Sequence, residues 1–386
     1  MHSPSNHRSE LGWSQDSAAQ VSGARDKLLF TPGPLTTSLA VKQAMLHDAG
    51  SWDVEFNRLV ASIRERLLSI AGLDPVEGWE AILLQGSGTY GVEAVFQTAV
   101  PRTGKVAVLS NGAYGNRMAQ ILSRASIDHV LLATPEDQPV GSEPLRALLG
   151  SDPAITHVAM VHCETTTGIL NPIESIGEVT RAAGKQFIVD AMSSFGAVPI
   201  DFQRCGIDFL ISSPNKCLEG VPGFCFVFCR RALLEACDGN ARSLSLDLLD
   251  QLRGFDRNGQ FRYTPPTHSV LAFDQALREF AAEGGVRARG ERYRANHKVL
   301  CSGMAQLGLR AFLDPSVQSF IITAFHFPAH SGFDFGKFYA QLSERGFLIY
   351  PGKLTRVDTF RIGTIGRIFP ADLQQLVYAI GAILPA

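Results

Sequence analysis

Between residues 56 and 73 the apolar side chains recur at helical spacing. Phe56, Leu59, Ile63, Leu67 and Ile70 of FNRLVASIRERLLSIAGL share one face, which predicts an amphipathic helix packed on a core. From residue 80 the rhythm changes to short apolar runs, AILLQ, VAVLS, HVLLA, HVAMVH, QFIVDA and DFLISS, separated by stretches of helical spacing. Unbroken apolarity over so few residues marks strands buried on both faces. Strands alternating with helices predict an α/β fold, a mainly parallel sheet covered on both sides. GFCFVFC, just past the last run, is expected to end the sheet as one further strand. A long helical region, HSVLAFDQALREFAAEGG through RGERYRANHKVLCSGMAQLG, then leads to strands near SFIITAFHF and FRIGTIG, a smaller C-terminal α+β unit. The expected division is a large domain over 28–275, whose first residues can pack with the small domain, and a small domain over 276–386. Residues 1–27 are polar and aperiodic and read as a disordered extension.

Composition narrows the class of partner. A chain of 386 residues exceeds the size at which single cores stop growing, which agrees with two units. With 45% hydrophobic and 19% charged residues and a net charge of −2, there is no basic excess for nucleic acid, so a small-molecule partner is expected. No apolar run reaches the roughly 20 residues that cross a bilayer, and the N-terminus has neither a secretory nor a transit pattern. No membrane association is expected, and the cytoplasm is the expected compartment. The seven cysteines, Cys163, Cys205, Cys217, Cys225, Cys229, Cys237 and Cys301, form no CxxC pair and read as small buried hydrophobes, with no metal site.

Ligands of open parallel sheets gather at the carboxyl ends of strands. QFIVD ends in Asp190, and DFLISSPNK reaches Lys216 just past its strand. Taken singly, such an Asp is a turn or cap residue and such a Lys is solvated. On one rim, they form the pair that pyridoxal phosphate needs: an amine for an imine with its aldehyde, and a carboxylate that keeps its ring nitrogen protonated. AILLQGSGTYG adds a strand running into a glycine loop, where backbone donors and the Ser87 and Thr89 hydroxyls can cradle a phosphate. Gly86, Gly88 and Gly91 also spell GxGxxG, but the acidic residue a dinucleotide fold wants some 20 positions on is replaced by Asn111. Ser213-Pro-Asn-Lys216 matches SxxK without a following SDN or KTG, and His162-Cys-Glu164 matches the HxE of zinc deaminases without PCxxC.

The ordered set GSGTYG, NGAYGNRM, HCETTTGILNP, IVDAMSSFG, SSPNKCLEGVPGF and DTFRIGTIG resembles the alanine-glyoxylate class of fold-type-I, class-V aminotransferases, from about Leu28 to the C-terminus. SWDVEFN, NKCLEGVPGF, SLSLDLLDQL with FRYTPPTHSVLAF, and YPGKLTRVDTFRIGTIG are most similar to the branch that transfers the amine of 2-aminoethylphosphonate to pyruvate. The serine- and alanine-glyoxylate members are the alternative. The resemblance implies a Schiff base at Lys216 and an Asp190 contact to the pyridine nitrogen. It further implies Tyr114 stacked on the ring, Met192 on its other face, and Thr165 on its phenolic oxygen. Ser87, Gly88, Thr89 and Asn215 would hold the phosphate, joined by Thr264 of a neighbouring subunit, which implies a homodimer with active sites at the interface. Arg361, with Thr31 and Gly33 of Thr31-Pro-Gly-Pro34, would hold the anionic end of amine and keto-acid substrates. Leu249 and Leu252 stand where the resemblance leads one to expect aromatic residues, and Glu219 where it leads one to expect an amide.

Overall fold

The computed structural model describes residues 26–328, 332–355 and 357–384, so nearly all of the expected N-terminal extension lies outside the described residues. The first long helix, α1 (Val54–Ala71), starts where the Asp53 side chain accepts from the Glu55 amide and stops at Gly72, whose φ of 67° suits a residue without Cβ. Its buried stripe is Phe56, Val60, Ile63, Leu67, Leu68 and Ala71, with Leu59 and Ile70 only half-buried at its margins.

Seven strands follow: β1 (Trp79–Gln85), β2 (Lys105–Ser110), β3 (Asp128–Ala133), β4 (Ile155–Val161), β5 (Gln186–Asp190), β6 (Phe209–Ser212) and β7 (Phe224–Arg230). They form one sheet in the order β1-β7-β6-β5-β4-β2-β3. Helices α2 (Gly88–Ala99), α3 (Ala113–Arg124) and α4 (Ile173–Ala182) are among the connections between the strands. Strands β2 to β6 pair in parallel. β7 does not end the sheet as expected from its place in the chain. It is inserted between β1 and β6, antiparallel to both. Its side chains suit an interior place: Phe224 to Cys229 are all buried. β3, whose HVLLA reads as buried, is an edge strand, at the opposite side of the sheet from β1, and has only exposed and half-buried positions.

Helix α5 (Thr267–Glu283) runs unbroken through position 275 and packs Val270, Phe273, Leu277 and Phe280 into the core of the large sheet. Phe273 meets Phe224 edge to face at 5.4 Å. The turn comes at Gly284 and Gly285, with φ of 110° and 71°. Beyond it, α6 (Gly285–Gln306), β8 (Ile322–His326), α7 (Phe335–Glu344), β9 (Tyr350–Pro351), β10 (Thr359–Gly363) and α8 (Pro370–Gly381) make a second unit around an antiparallel sheet in the order β8-β10-β9. Phe325, Phe338, Phe360, Leu373 and Leu376 fill its core, and Phe30 from the start of the chain joins them. Leu28–Leu29 pair in parallel with Phe347–Leu348. Among the described residues no helix is long and apolar enough to cross a membrane.

Close contact between α4 and the loop before β6 depends on a missing side chain. A Cβ on Gly177 would lie 1.7 Å from the Cys205 carbonyl oxygen, and backbone on both sides leaves it nowhere to go. Gly177→Ala is therefore expected to cost about 3 kcal/mol of stability, read as a lower urea midpoint with an unchanged slope.

Candidate active site

The carboxyl ends of β1, β4, β5 and β6 converge on a cavity of about 270 Å³. Ser87, Gly88 and Thr89 follow β1, Cys163 and Thr165 follow β4, Asp190 and Met192 close β5, and Ser213, Asn215 and Lys216 follow β6. Tyr114 and Arg117 enter from α3. Neighbouring parallel strands present their ends on one rim: Asp190 pairs with Val161 on one side and Ile211 on the other. The Asp190 and Lys216 side chains thus face the same space although 26 residues separate them.

Burial works on this pair in opposite directions. It pushes the Lys216 amine below its ordinary range, only partly offset by the nearby Tyr114, Cys217 and Asp190 groups. It pushes the Asp190 carboxyl up to about 6, against the Met192 amide, which donates to Oδ1 at 2.9 Å. Lys216 Nζ donates to the Pro32 carbonyl at 2.5 Å, and a Cβ on Gly33 would come within 2.8 Å of Nζ. The segment Thr31–Pro34 therefore lies directly on the lysine, and glycine at 33 is what leaves the side chain its course.

The opposite wall is the N-terminus of α2. Ser87 occupies its N-cap position without a side-chain hydrogen bond to the helix, so its hydroxyl and the first backbone amides face the cavity as an anion seat. A Cβ on Gly88 would fall 2.3 Å from Met192 Sδ. Arg117 brings a positive charge to this end and donates to Thr89 Oγ1 at 3.3 Å.

Tyr114 lies among cations. Arg117 and Lys353 sit 4.9 and 5.0 Å from its ring centroid. Burial alone would raise its hydroxyl pKa, but Lys216, Lys353, the Thr165 hydroxyl and Arg361 together bring it below the ordinary value. Arg361 is almost fully buried in the middle of β10 and does not line the cavity. Its Nε donates to the Pro351 carbonyl at 2.9 Å and its Nη1 to the Thr165 carbonyl at 2.6 Å, while the guanidinium also meets the Tyr114 hydroxyl.

Ser87, Gly88, Thr89, Tyr114, Thr165, Asp190, Met192, Asn215 and Lys216 thus line one cavity, with Thr31 and Gly33 beside it and Arg361 behind Thr165 and Tyr114. Thr264 stands apart: it is exposed, and its carbonyl accepts from Gln85 Nε2 at 3.2 Å. Arg117 and Glu164 are among the residues around the site that the sequence reading did not single out. Arg117 lies one helical turn beyond Tyr114, so the spacing within NGAYGNRM carried a signal for it. Glu164 gave none. Buried, it accepts from the Tyr114 and Gly115 amides at 3.2 Å each, which caps α3, and from the Thr166 amide and hydroxyl.

Glu219 is not in the cavity. At a φ of 57° it holds a strained, left-handed backbone directly after the lysine turn. Its Oε1 accepts from Arg292 and from the Tyr293 hydroxyl, both at 2.6 Å, and Arg289 lies 3.5 Å away. Glu283 completes the group, paired with Arg289 at 2.9 Å and Arg292 at 2.8 Å. Leu249 and Leu252 are ordinary core residues of the large unit.

A family model described as aminotransferase class-V matches residues 45–353. The chain is 51% identical over 353 residues to the 2-aminoethylphosphonate–pyruvate transaminase of Syntrophobacter fumaroxidans, covering 91% of this chain and 95% of that one. It is 50% identical over 357 residues to the enzyme of the same name from Pseudomonas putida, covering 92% and 96%. Among solved structures, the alanine–glyoxylate aminotransferase of Nostoc sp. superposes with a TM-score of 0.84 at 26% identity, covering 94% and 96%. This chain belongs to the class-V aminotransferase family. Its architecture is fold-type I, a mainly parallel large sheet with a smaller C-terminal unit, and it is an aminotransferase.

The family implies pyridoxal phosphate, and the cavity fits it. A half-buried amine, a buried carboxylate and an uncapped helix N-terminus surround a space that a single methyl group on Gly88 would crowd. Without a cationic partner the Asp190 carboxylate is a burden on the fold. With its pKa raised to about 6, it is neutral and harmless at low pH and becomes a buried charge as pH rises through 6. Relative to Asp190→Asn, the cofactor-free protein should lose roughly 3 kcal/mol between about pH 4 and pH 7. Urea unfolding of both proteins across that range checks this; parallel pH curves would contradict it.

Proposed function

We propose that this chain transfers the amino group of 2-aminoethylphosphonate to pyruvate, giving phosphonoacetaldehyde and alanine, with pyridoxal phosphate as cofactor. The observation that carries the reading is the Lys216–Asp190 pair facing one cavity, in a chain half identical to transaminases of that name over nine-tenths of its length. Bound, the cofactor supplies an electron sink for the negative charge left when the amine-bearing carbon loses its proton.

The protein supplies the rest. Lys216 would hold the cofactor covalently and would serve as the base toward the amine-bearing carbon of the donor. Its pKa, lowered by burial, leaves Nζ free to take the proton from the amine-bearing carbon and to give it back. Asp190 would hold a proton on the cofactor's ring nitrogen, and that cation would in turn stabilise the carboxylate that burial disfavours. Ser87, Gly88, Thr89 and Asn215 would hold its phosphate, with Tyr114, Met192 and Thr165 contacting its ring. Arg361, Thr31 and Gly33 receive the anionic end of both donor and acceptor, which bind in turn to one site.

The active form is a homodimer, with Thr264 reaching the partner's phosphate site. Its support is an apolar surface around the loop that carries Thr264: Leu46 is 80% exposed, Trp52 79%, Tyr90 53% and Tyr263 43%. The seven free cysteines suit a reducing compartment such as the cytoplasm.

The donor is tested by mixing the holoenzyme with 2-aminoethylphosphonate, alanine or serine in turn and following the cofactor absorbance. Loss of the yellow band with the phosphonate and with alanine is expected; a response to serine but none to the phosphonate would favour a serine-glyoxylate enzyme. Lys216→Ala should lose both the band and turnover. Arg361→Ala should raise the KM of the phosphonate and of pyruvate together, by about tenfold or more, and a rise confined to one substrate would refute the shared anion site.

A further inference from the structure

We infer that Lys353 makes the site select a doubly charged donor, by forming with Arg361 a two-cation seat for a phosphonate dianion that a carboxylate monoanion only half uses. The inference rests on the donor reading above. Four cations surround Tyr114 and the cavity: Lys216, Arg117, Lys353 and Arg361. Two of them are committed elsewhere. Lys216 holds the cofactor, and Arg117 is tied to Thr89 at the phosphate end. Lys353 and Arg361 remain, both beside Tyr114.

Arg361 alone is poorly equipped for a dianion. Its Nε and Nη1 already donate to the Pro351 and Thr165 carbonyls, which leaves fewer of its N–H groups for the substrate. A phosphonate carries a second charge and a third oxygen, which call for a second donor. Lys353 is placed to supply it. Its Nζ lies 5.0 Å from the centre of the Tyr114 ring, whose hydroxyl meets Arg361. Among the described residues, neither Lys353 nor Arg361 forms an ion pair, although nineteen such pairs occur elsewhere in the structure.

The backbone holds the lysine there. Gly352 donates its amide to the Thr359 carbonyl at 2.9 Å, and a Cβ on it would lie 2.3 Å from that oxygen, so only glycine lets the chain double back at this point. Two residues past Lys353, Thr355 is fastened to the large unit: its amide and hydroxyl donate to Glu136 Oε2 at 3.3 and 3.2 Å. The ammonium is thus carried by a segment anchored on both sides, and its exposure at the mouth of the site leaves it free to meet an incoming anion.

The test compares donors in the holoenzyme. In Lys353→Met, kcat/KM for 2-aminoethylphosphonate is expected to fall about tenfold, mostly through KM, as suits one partly screened charge pair. With alanine as donor the fall should stay within about threefold, and Lys353→Arg should restore most of the phosphonate preference. Equal losses with both donors, or none, in an enzyme whose wild type uses the phosphonate, would overturn the role of Lys353 and leave the donor reading standing. A wild type that ignores the phosphonate would overturn both.

Discussion

The placement of Lys216 relative to Arg361 depends on a buried cluster of charges to which neither belongs. Arg289, Arg292, Tyr293 and Asn296 lie three, four and seven positions apart on α6 and so share one face. Toward the large unit, Arg289 donates to the Cys217 carbonyl at 2.5 Å, and Arg292 and Tyr293 bind Glu219. Toward the small unit, Arg292 donates to the Gly366 carbonyl at 2.6 Å, Tyr293 accepts from the Gly366 amide, and Asn296 holds the Thr364 and Ile368 carbonyls. Burying four charges costs several kcal/mol each before their mutual attraction offsets it, so the cluster is a poor source of stability. What it provides is a single arrangement, because any other would strand a charge away from water. The strained backbone of Glu219 is held by the same contacts, and the turn that carries the lysine is fixed with it.

Space in the site is set by absent side chains as much as by present ones. Glycine at 88 lets Met192 approach the α2 N-terminus, and glycine at 33 lets the N-terminal segment lie on the lysine. Glycine at 363 admits the Thr31 backbone, whose oxygen would be 2.4 Å from a Cβ there. That last contact joins the beginning of the chain to the strand of Arg361, so both expected contributors to the anion site move as one body. The cavity that results suits a flat, charged ring better than it suits any side chain.

Electrostatically the site is unfinished without its ligands. Burial favours the neutral forms of Lys216 and Asp190, while excess positive charge draws the Tyr114 hydroxyl below its ordinary pKa in spite of burial. On the proposed reading, a protonated ring nitrogen beside Asp190 and anions beside Arg117, Arg361 and Lys353 would reverse these pressures. The proposed transamination uses the imbalance: the lysine is ready as a base, and the anion seats are already positive before substrate arrives.

The alternation of strands and helices was legible in the sequence because side-chain periodicity is a local property, fixed within a few residues by backbone geometry. The meeting of Asp190 and Lys216 was legible too, since strand ends in a parallel sheet share a rim whatever their spacing along the chain. The position of β7 was not: its apolar faces called for an interior place, but nothing in GFCFVFC names β1 and β6 as neighbours. Nor could the sequence locate the change of core at Gly284, because α5 continues the helical pattern up to it and only packing assigns that helix to the large sheet. Glu164 and Glu219 were opaque for the same reason. A buried acid takes its role from donors that folding brings to it: besides its neighbour Thr166, those of Glu164 come from α3, some fifty residues before it, while those of Glu219 come from α6, more than seventy after it. The sequence by itself determined the elements and the chemical groups at their ends; only the tertiary structure decided which charges are paired, because pairing is settled by distances between parts of the chain that share no local geometry.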